Sequence, residues 1–320
     1  MLIVQKFGGS SLADRERLRR AAELCLRQRR EGHRVILVVS AAGDTTDELI
    51  SLARQIHPQP PAREMDALAA TGEQQSAALM AIMLESMGAP ARSFSGWQAG
   101  IQTDERHGAA HIRLLVPERL HAALDQGQIP VVAGFQGVSP QGDLTTLGRG
   151  GSDTTAVALA AAMKADRCQI YTDVNGIYTA DPRLVPEARL LPQVDFRDML
   201  ALSRAGSQVL HPESVRLAMA NDLELQLLSS FEEGEGSRVR QLFDPERPAF
   251  AGVTRDAENA TVSAVGRAAS QQSLAVLRPM LESAGIPVLS AGVEEGCVTL
   301  KVAPAQLMAA LTQVHRAVIH

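Results

Sequence analysis

Residues 34–40 read Arg-Val-Ile-Leu-Val-Val-Ser. A run that is apolar at five successive positions, and largely β-branched, has no polar face to turn to water. As a strand it must be covered on both sides, which is the situation of a parallel sheet in an α/β layer. Leu2–Val4, Ile129–Gly134, Arg167–Thr172 and Leu223–Ser229 repeat the signature, and a further strand is expected near Ala91–Ser95. Stretches with helical spacing lie between them. Residues 14–31 place Leu18, Ala21, Ala22, Leu24 and Cys25 on one stripe and stop at Gly32. Other helices are predicted from about Thr46 to the proline-rich break at His57–Arg63, over 73–87, from Pro117 within Ile112–Gly127, and over Ser152–Lys164. Strand and helix alternate, so the expected class is α/β with a mostly parallel sheet.

The pattern changes at Glu232–Pro248, which is charged, rich in glycine and proline, and weakly periodic. A domain boundary is expected there. Beyond it, strands are predicted at Phe250–Thr254, Ala260–Val265, Ile286–Ala291 and Cys297–Val302, with helices over 271–284 and 304–317. That is a small α+β unit of four strands and two helices. A chain of 320 residues with 45% apolar content can supply one large core and a smaller one. Aromatics are only 3%, so aliphatic side chains must fill both.

A net charge of −5 gives no general attraction to nucleic acid or to an anionic membrane. Arg15, Arg17, Arg19, Arg20, Arg27, Arg29, Arg30 and Arg34 cluster without interleaved aromatics and read as a solvated helix face. Cys25, Cys168 and Cys297 are isolated, with no CxxC pair, so neither a zinc site nor a disulfide framework is expected. The histidines His57, His107, His111 and His211 show no metal-ligand spacing. A reducing cytoplasm fits this cysteine usage, and Leu2–Val4 is too short for a secretory leader. Apolar runs such as Ala156–Met163 fall short of the ~20 residues that span a bilayer.

Three glycine-rich segments stand at strand ends. Lys6-Phe7-Gly8-Gly9-Ser10-Ser11 closes the first strand and precedes a helix. Two glycines permit close backbone approach to a polyanion, and lysine adds a point charge. The segment matches neither GxxxxGK[ST] nor GxGxxG, so it is open to two readings, a phosphate cradle or an ordinary strand–turn–helix junction. Thr145-Thr146-Leu147-Gly148-Arg149-Gly150-Gly151-Ser152-Asp153 surrounds an arginine with glycines. Arginine suits bidentate capture of a carboxylate or phosphate, and Asp153 falls in the first turn of a helix, where the dipole favours its charge. A simple helix cap beside a surface arginine would look the same. Tyr171–Arg183 (YTDVNGIYTADPR) runs from a strand into Asn-Gly and Asp-Pro turns, which places polar groups where open α/β sheets bind ligands; turn chemistry alone would also explain it. Ser40, Glu73 and Gly100–Asp104 are weaker signals.

In this order, KFGGSS, VVSAAGDTTDEL, TGEQQSAALM, GWQAGIQTD, TTLGRGGSDTTAVALAAAMKAD, IYTDVNGIYTADPR and VLHPESV resemble the aspartate kinases of the amino acid kinase family, across most of residues 1–231. The resemblance implies a three-layer αβα sandwich with a mostly parallel central sheet, followed by ACT-type regulatory modules. It implies a catalytic domain over 1–235, a linker over 236–248 and a single ACT-like unit over 249–320. It implies transfer of the ATP γ-phosphoryl group to the β-carboxylate of L-aspartate with Mg²⁺, as the first step toward lysine, threonine and methionine. Carried over by residue, Lys6 contacts the transferring phosphoryl group, and Asp153 lies beside the reacting centre and orients Lys6. Gly8, Gly9 and Ser10 donate to phosphates. Ser40 and Thr45 line the aspartate pocket, Glu73 pairs with the substrate ammonium, and Arg149 clamps its α-carboxylate. Thr172, Asp173, Tyr178 and Arg183 hold the nucleotide.

Two departures matter. The family usually has a nucleotide-reaching lysine before VLHP, whereas this chain has Gln208. Its C-terminal region has room for one ACT module, with Phe250–Thr254 supplying an edge strand, and a homodimer paired through that unit is expected. Two other readings stay open: a kinase of the same fold acting on another small acid, and a catalytically weakened amino-acid sensor.

Overall fold

Strands β1 (Leu2–Phe7) and β2 (Arg34–Val39) lie side by side and parallel, in register from Leu2↔Arg34 to Phe7↔Val39. Both are buried almost throughout, as apolar runs without a polar face require. The computed structural model describes residues 1–319. They form two compact units, one of Met1–Val174 with Leu223–Gly234, the other of Asn175–Asp222 with the chain from Glu235 onward.

The first unit continues with helices α1 (Arg15–Arg30), α2 (Thr45–Ile56) and α3 (Ala62–Ser86) and strands β3 (Ala91–Phe94), β4 (Ile101–Thr103) and β5 (Ile112–Leu115). After α4 (Glu118–Asp125) come β6 (Ile129–Ala133), β7 (Gln136–Val138), β8 (Leu144–Thr146), α5 (Gly151–Ala162) and β9 (Arg167–Thr172). The chain then contributes β10 (Ile177–Tyr178), β11 (Leu190–Leu191), β12 (Gln193–Asp195), α6 (Phe196–Arg204) and α7 (Pro212–Ala220) to the second unit, and returns with β13 (Leu225–Ser229).

Within the first unit the main sheet runs β13-β9-β1-β2-β6-β3, and each pairing is parallel. Alternation along the strands sends Phe7, Val35, Leu37 and Val39 to one face, where they pack on Leu18, Ala22 and Cys25 of α1 and on Ala77, Met80 and Leu84 of α3. The opposite face of β1, β2 and β9 is covered by α5. The fold is therefore an α/β sandwich with a mostly parallel central sheet, as the sequence implies.

Two features of this unit differ from the sequence reading. Helix α3 begins at Ala62, directly after Pro61 at its N-cap, and not near residue 73. Gly72 lies within that helix, and a Cβ there would lie 2.9 Å from the Cβ of Ala41. A second small sheet, β5-β4-β7-β8, was not legible. Its strands have three or four residues each, too few to display a period.

In the second unit β10 pairs antiparallel with β11, and β12 pairs parallel with β14 (Ser237–Arg240). There follow β15 (Gly252–Asp256), β16 (Thr261–Val265), α8 (Gln271–Ser283), β17 (Ser290–Glu294), β18 (Cys297–Lys301) and α9 (Leu307–Val318). The four strands form an antiparallel sheet, β15-β16-β18-β17, with β15 at one edge. Val262, Ala264, Val298 and Leu300 pack on Leu277 and Leu281 of α8 and on Leu311 and Val314 of α9. The third strand starts at Ser290, four residues later than Ile286, because Ile286 and Val288 are drawn into this core.

Candidate active site

The carboxyl ends of β1, β2 and β9 lie level, since Phe7 is opposite both Val39 and Tyr171. Parallel strands that stop together leave three loops at one edge, the usual ligand side of such a sheet. The first loop is the glycine turn. The chain makes a 3₁₀ turn over Gly9–Ser11, and the Gly8 amide donates to the Tyr171 carbonyl at 3.3 Å. A Cβ on Gly9 would lie 2.6 Å from the Ala41 carbonyl oxygen, so only glycine lets this loop touch the loop after β2. The Gly43 amide then donates to the Gly9 carbonyl at 3.0 Å.

Lys6 and Phe7 face opposite sides of the sheet. Phe7 stacks on Tyr171 with ring centroids 4.6 Å apart. Lys6 turns instead toward α5, and its Nζ lies 2.6 Å from Asp153 Oδ1. Both side chains are only 12% exposed. Asp153 stands in the first turn of α5, where the helix dipole supports its charge. The helix is entered through Gly150 at φ +72°, and Gly148 is at φ +74°, so left-handed residues flank Arg149 on both sides. Arg149 is exposed and forms no ion pair or hydrogen bond among the described residues.

The second loop carries Ser40 and Thr45. The Ser40 amide donates to the Phe7 carbonyl at 3.1 Å, and the Thr45 hydroxyl donates to the Ala42 carbonyl at 2.6 Å. Helix α3 lies against this loop through the bare face of Gly72, whose Cβ would also meet Thr45 Cγ2 at 3.6 Å. One residue on, Glu73 is 4% exposed, and its Oε1 accepts from the Ala41 amide at 3.1 Å. Its Oε2 has no hydrogen-bond partner. Burial pushes the Glu73 carboxyl up to about 7. A buried acid with one unspent oxygen can accept one more donor.

The third loop begins with Thr172, whose hydroxyl donates to Asp173 Oδ1 at 3.0 Å. Tyr178 and Arg183 belong to the second unit. Tyr178 lies in β10, and Arg183 Nη2 lies 2.9 Å from Asp181 Oδ2. Gln208 is exposed between α6 and α7. The first unit thus brings together Lys6 with Asp153, and Ser40, Thr45 and Glu73 with one another.

Sequence reasoning passed over two residues beside this site. Phe135, just after β6, is held at φ +68°, a strained value for an aromatic residue. Its amide donates to Thr155 Oγ1 of α5 at 3.1 Å, and its carbonyl accepts from Leu147 at 2.9 Å. Gly134 immediately before it signals the close approach, because a Cβ there would lie 2.9 Å from Ser152 Cβ. The other is Asp66, a buried acid on α3 that reads in sequence as a surface residue. A groove of about 720 Å³ between α1 and α3, lined by Leu18, Leu79, Ile82 and Met83 with Arg15 and Arg19 beside them, includes none of Lys6, Glu73, Arg149 and Asp153. Among the described residues no three His, Cys, Asp or Glu side chains converge as metal ligands, and no helix is long and apolar enough to cross a membrane.

Residues 1–229 match the amino acid kinase family. The chain is 52% identical over 269 residues to an aspartokinase of Mycolicibacterium smegmatis, an alignment covering 83% of this chain and 64% of that protein. It is 46% identical over 288 residues to an aspartokinase of Geobacillus stearothermophilus, covering 90% of this chain and 71% of that one. Among solved structures, E. coli aspartokinase III in complex with aspartate and ADP matches with a TM-score of 0.74 at 25% identity, over 98% of this chain and 84% of the other. The chain spans just under two thirds, 64–65%, of the length of the first two aspartokinases it matches.

Proposed function

The chain belongs to the amino acid kinase family, and from that premise we propose that it is an aspartate kinase, moving the γ-phosphoryl group of ATP to the β-carboxylate of L-aspartate. The product is 4-phospho-L-aspartate. A carboxylate oxygen attacks the γ-phosphorus, the bond to the bridging oxygen breaks, and ADP leaves with that electron pair. The nucleophile is already an anion, so no strong base is needed. The barrier lies in bringing two anions together and neutralising the charge between them.

The observation that carries this reading is the Lys6–Asp153 ion pair at the carboxyl end of β1, between the glycine turn and the start of α5. Asp153 holds the ammonium in place, and the absence of a side chain at Gly8, whose Cβ would lie 3.6 Å from Lys6 Nζ, leaves its other side open to a phosphoryl group. Of the turn residues Gly8, Gly9 and Ser10, the last two donate to phosphate oxygens, while the Gly8 amide is already spent on the Tyr171 carbonyl. Glu73 accepts the substrate ammonium, Arg149 clamps the α-carboxylate, and Ser40 and Thr45 line the pocket. Thr172, Asp173, Tyr178 and Arg183 hold the nucleotide. Mg²⁺ suits a site of this kind, because it keeps its waters and substrate phosphates and asks few carboxylates of the protein; it would supply neutralisation of the polyphosphate. Asp153 is the carboxylate nearest the reacting centre.

On this reading residues 1–235 are the catalytic domain, 236–248 a linker, and 249–320 an ACT-like unit that pairs in a homodimer in the cytoplasm. The test is aspartate-dependent formation of hydroxamate, or of ADP, with ATP and Mg²⁺. Lys6→Ala should lower kcat by about 10²–10³-fold, the scale for losing one group that stabilises transition-state charge. Turnover that survives Lys6→Ala unchanged would remove Lys6 from the chemistry.

A further inference from the structure

Asp66 is two helical turns before Glu73 on α3, and the two side chains share a face of that helix. Its side chain is 3% exposed. The carboxylate accepts from the Thr146 hydroxyl at 2.6 Å and the Thr146 amide at 3.1 Å. It also accepts from the Gly108 amide at 3.0 Å, and His107 Nδ1 lies 2.8 Å away. One carboxylate thereby fastens two chain segments to α3. Thr146 ends β8 and stands three residues before Arg149. The segments also meet directly, since a Cβ on Gly148 would lie 3.0 Å from the Gly108 carbonyl oxygen.

The attachment to α3 is repeated along the helix. Gln136 of β7 pairs with Thr146 across the small sheet. Its Nε2 donates to the Ala70 carbonyl at 2.8 Å, and its Oε1 accepts from Gln74 Nε2 at 3.1 Å. Asp66, Ala70 and Gln74 thus fix the β7–β8 pair to the same two turns that present Glu73. Burying a carboxylate is costly, and apolar packing would join a strand to a helix with less penalty. A charged acceptor with several donors fixes direction and distance, which apolar contacts do not.

We propose that Asp66 is a positioning residue for the acceptor: it sets where Arg149 stands relative to Glu73, and so where the acceptor's Cα is held. The inference rests on the reading that Glu73 and Arg149 grip the ammonium and α-carboxylate. With Cα pinned by those two groups, side-chain length alone decides whether the second carboxylate reaches Lys6. Aspartate, with one methylene, is then separated from glutamate, with two. Loosening the Arg149 loop weakens acceptor binding and blurs that separation, while the glycine turn of β1 is untouched.

The experiment is steady-state kinetics of the full chain with ATP, Mg²⁺ and either aspartate or glutamate, for wild type, Asp66→Asn, Thr146→Val, Arg149→Ala and the Asp66→Asn/Arg149→Ala double variant. Asp66→Asn keeps the shape but turns an NH₂ toward groups that donate. It should raise the aspartate KM about 10–100-fold, the scale of an ångström-sized misplacement, and narrow the preference for aspartate over glutamate. The ATP KM should move less than about twofold, and in the Arg149→Ala background Asp66→Asn should add no further loss. Thr146→Val removes one donor, should shift the aspartate KM in the same direction by about threefold, and serves if Asp66→Asn does not fold. An unchanged aspartate KM, an equal rise in both KM values, or additive losses in the double variant would each overturn the proposal. A wild-type chain without aspartate-dependent turnover would instead overturn the functional reading, and the inference with it.

Discussion

Glu73 combines a buried carboxyl, one oxygen spent on the Ala41 amide and one unspent, so its protonation state is a property of the fold. Burial raises it from an ordinary 4.5 to about 7 in the folded chain. The native state therefore binds this proton more tightly than the unfolded chain does. By linkage, stability from this group is greatest below pH ~4.5 and is lost as pH rises toward about 7, by an amount on the order of 3 kcal/mol. Glu73→Gln, which cannot titrate, should lack that decline when unfolding is followed by denaturant from pH 4.5 to 8. Function runs the opposite way. An ammonium is bound by the carboxylate form, so the aspartate KM of wild type should fall as pH rises through 7. Parallel stability profiles for the two proteins would remove the buried-acid account. The glycine turn and the glycines around Arg149 are legible at sequence level because their backbone demands are local. The state of Glu73 is not legible in that way, since the Ala41 amide arrives 32 residues upstream. Asp66 is hidden for the same reason, because Thr146 is 80 residues away.

At the scale of elements, the long apolar strands announce themselves, and β1, β2, β6 and β9 stand where periodicity and composition put them. What apolar runs do not encode is which strand pairs with which, and in what register. The structure contains a device for that. Gln5, Gln169 and Gln226 lie opposite one another on β1, β9 and β13. Gln5 Nε2 donates to Gln169 Oε1 at 2.9 Å, and Gln169 Nε2 donates to Gln226 Oε1 at 3.0 Å, with all three side chains buried. A slip of one residue would turn these amides to the other face and break both bonds. Gln169→Leu leaves Gln5 Nε2 only a 3.4 Å contact to the Tyr171 hydroxyl and takes a donor from Gln226. It should cost about 2–4 kcal/mol, because two buried amides lose a partner. Replacing all three by leucine should cost less than the single change, since none of the three amides is then left without its partner in the ladder. Denaturant midpoints of the single and triple variants check the order. If the triple variant is the weaker one, the ladder acts by shape and not by hydrogen bonding.

For the molecule as a whole, the charged, glycine- and proline-rich stretch at 232–248 is the most conspicuous break in the sequence, yet packing in the second unit reaches across it. The segment from β10 to β11 carries Tyr178 and Arg183, and its Ala180 and Val185 are buried in one cluster with Val253, Leu277 and Val314. The Val253 amide donates to the Thr179 carbonyl at 2.7 Å, and Thr179 Oγ1 lies 2.9 Å from Nε2 of His315 on α9. His315 is 2% exposed, and burial holds its pKa below the ordinary value, which keeps the ring neutral and able to share this bond. The β10–β11 segment, which the proposed function assigns to the nucleotide, is thus part of the core of the small antiparallel sheet and its helices. Cutting the chain after Pro248 would strip Ala180 and Val185 of their cover and take Val253 and His315 from Thr179, leaving it only its bonds to Arg189. The shortened chain should therefore lose ATP affinity by at least about tenfold, with the β10–β11 segment open to protease, while α1, α3 and the parallel sheet stay protected. Isothermal titration with a non-hydrolysable ATP analogue and limited proteolysis read the two effects separately. Equal ATP affinity in the shortened and full chains would mean that the segment holds its shape without the C-terminal core, and that residues beyond 248 are dispensable to the nucleotide side.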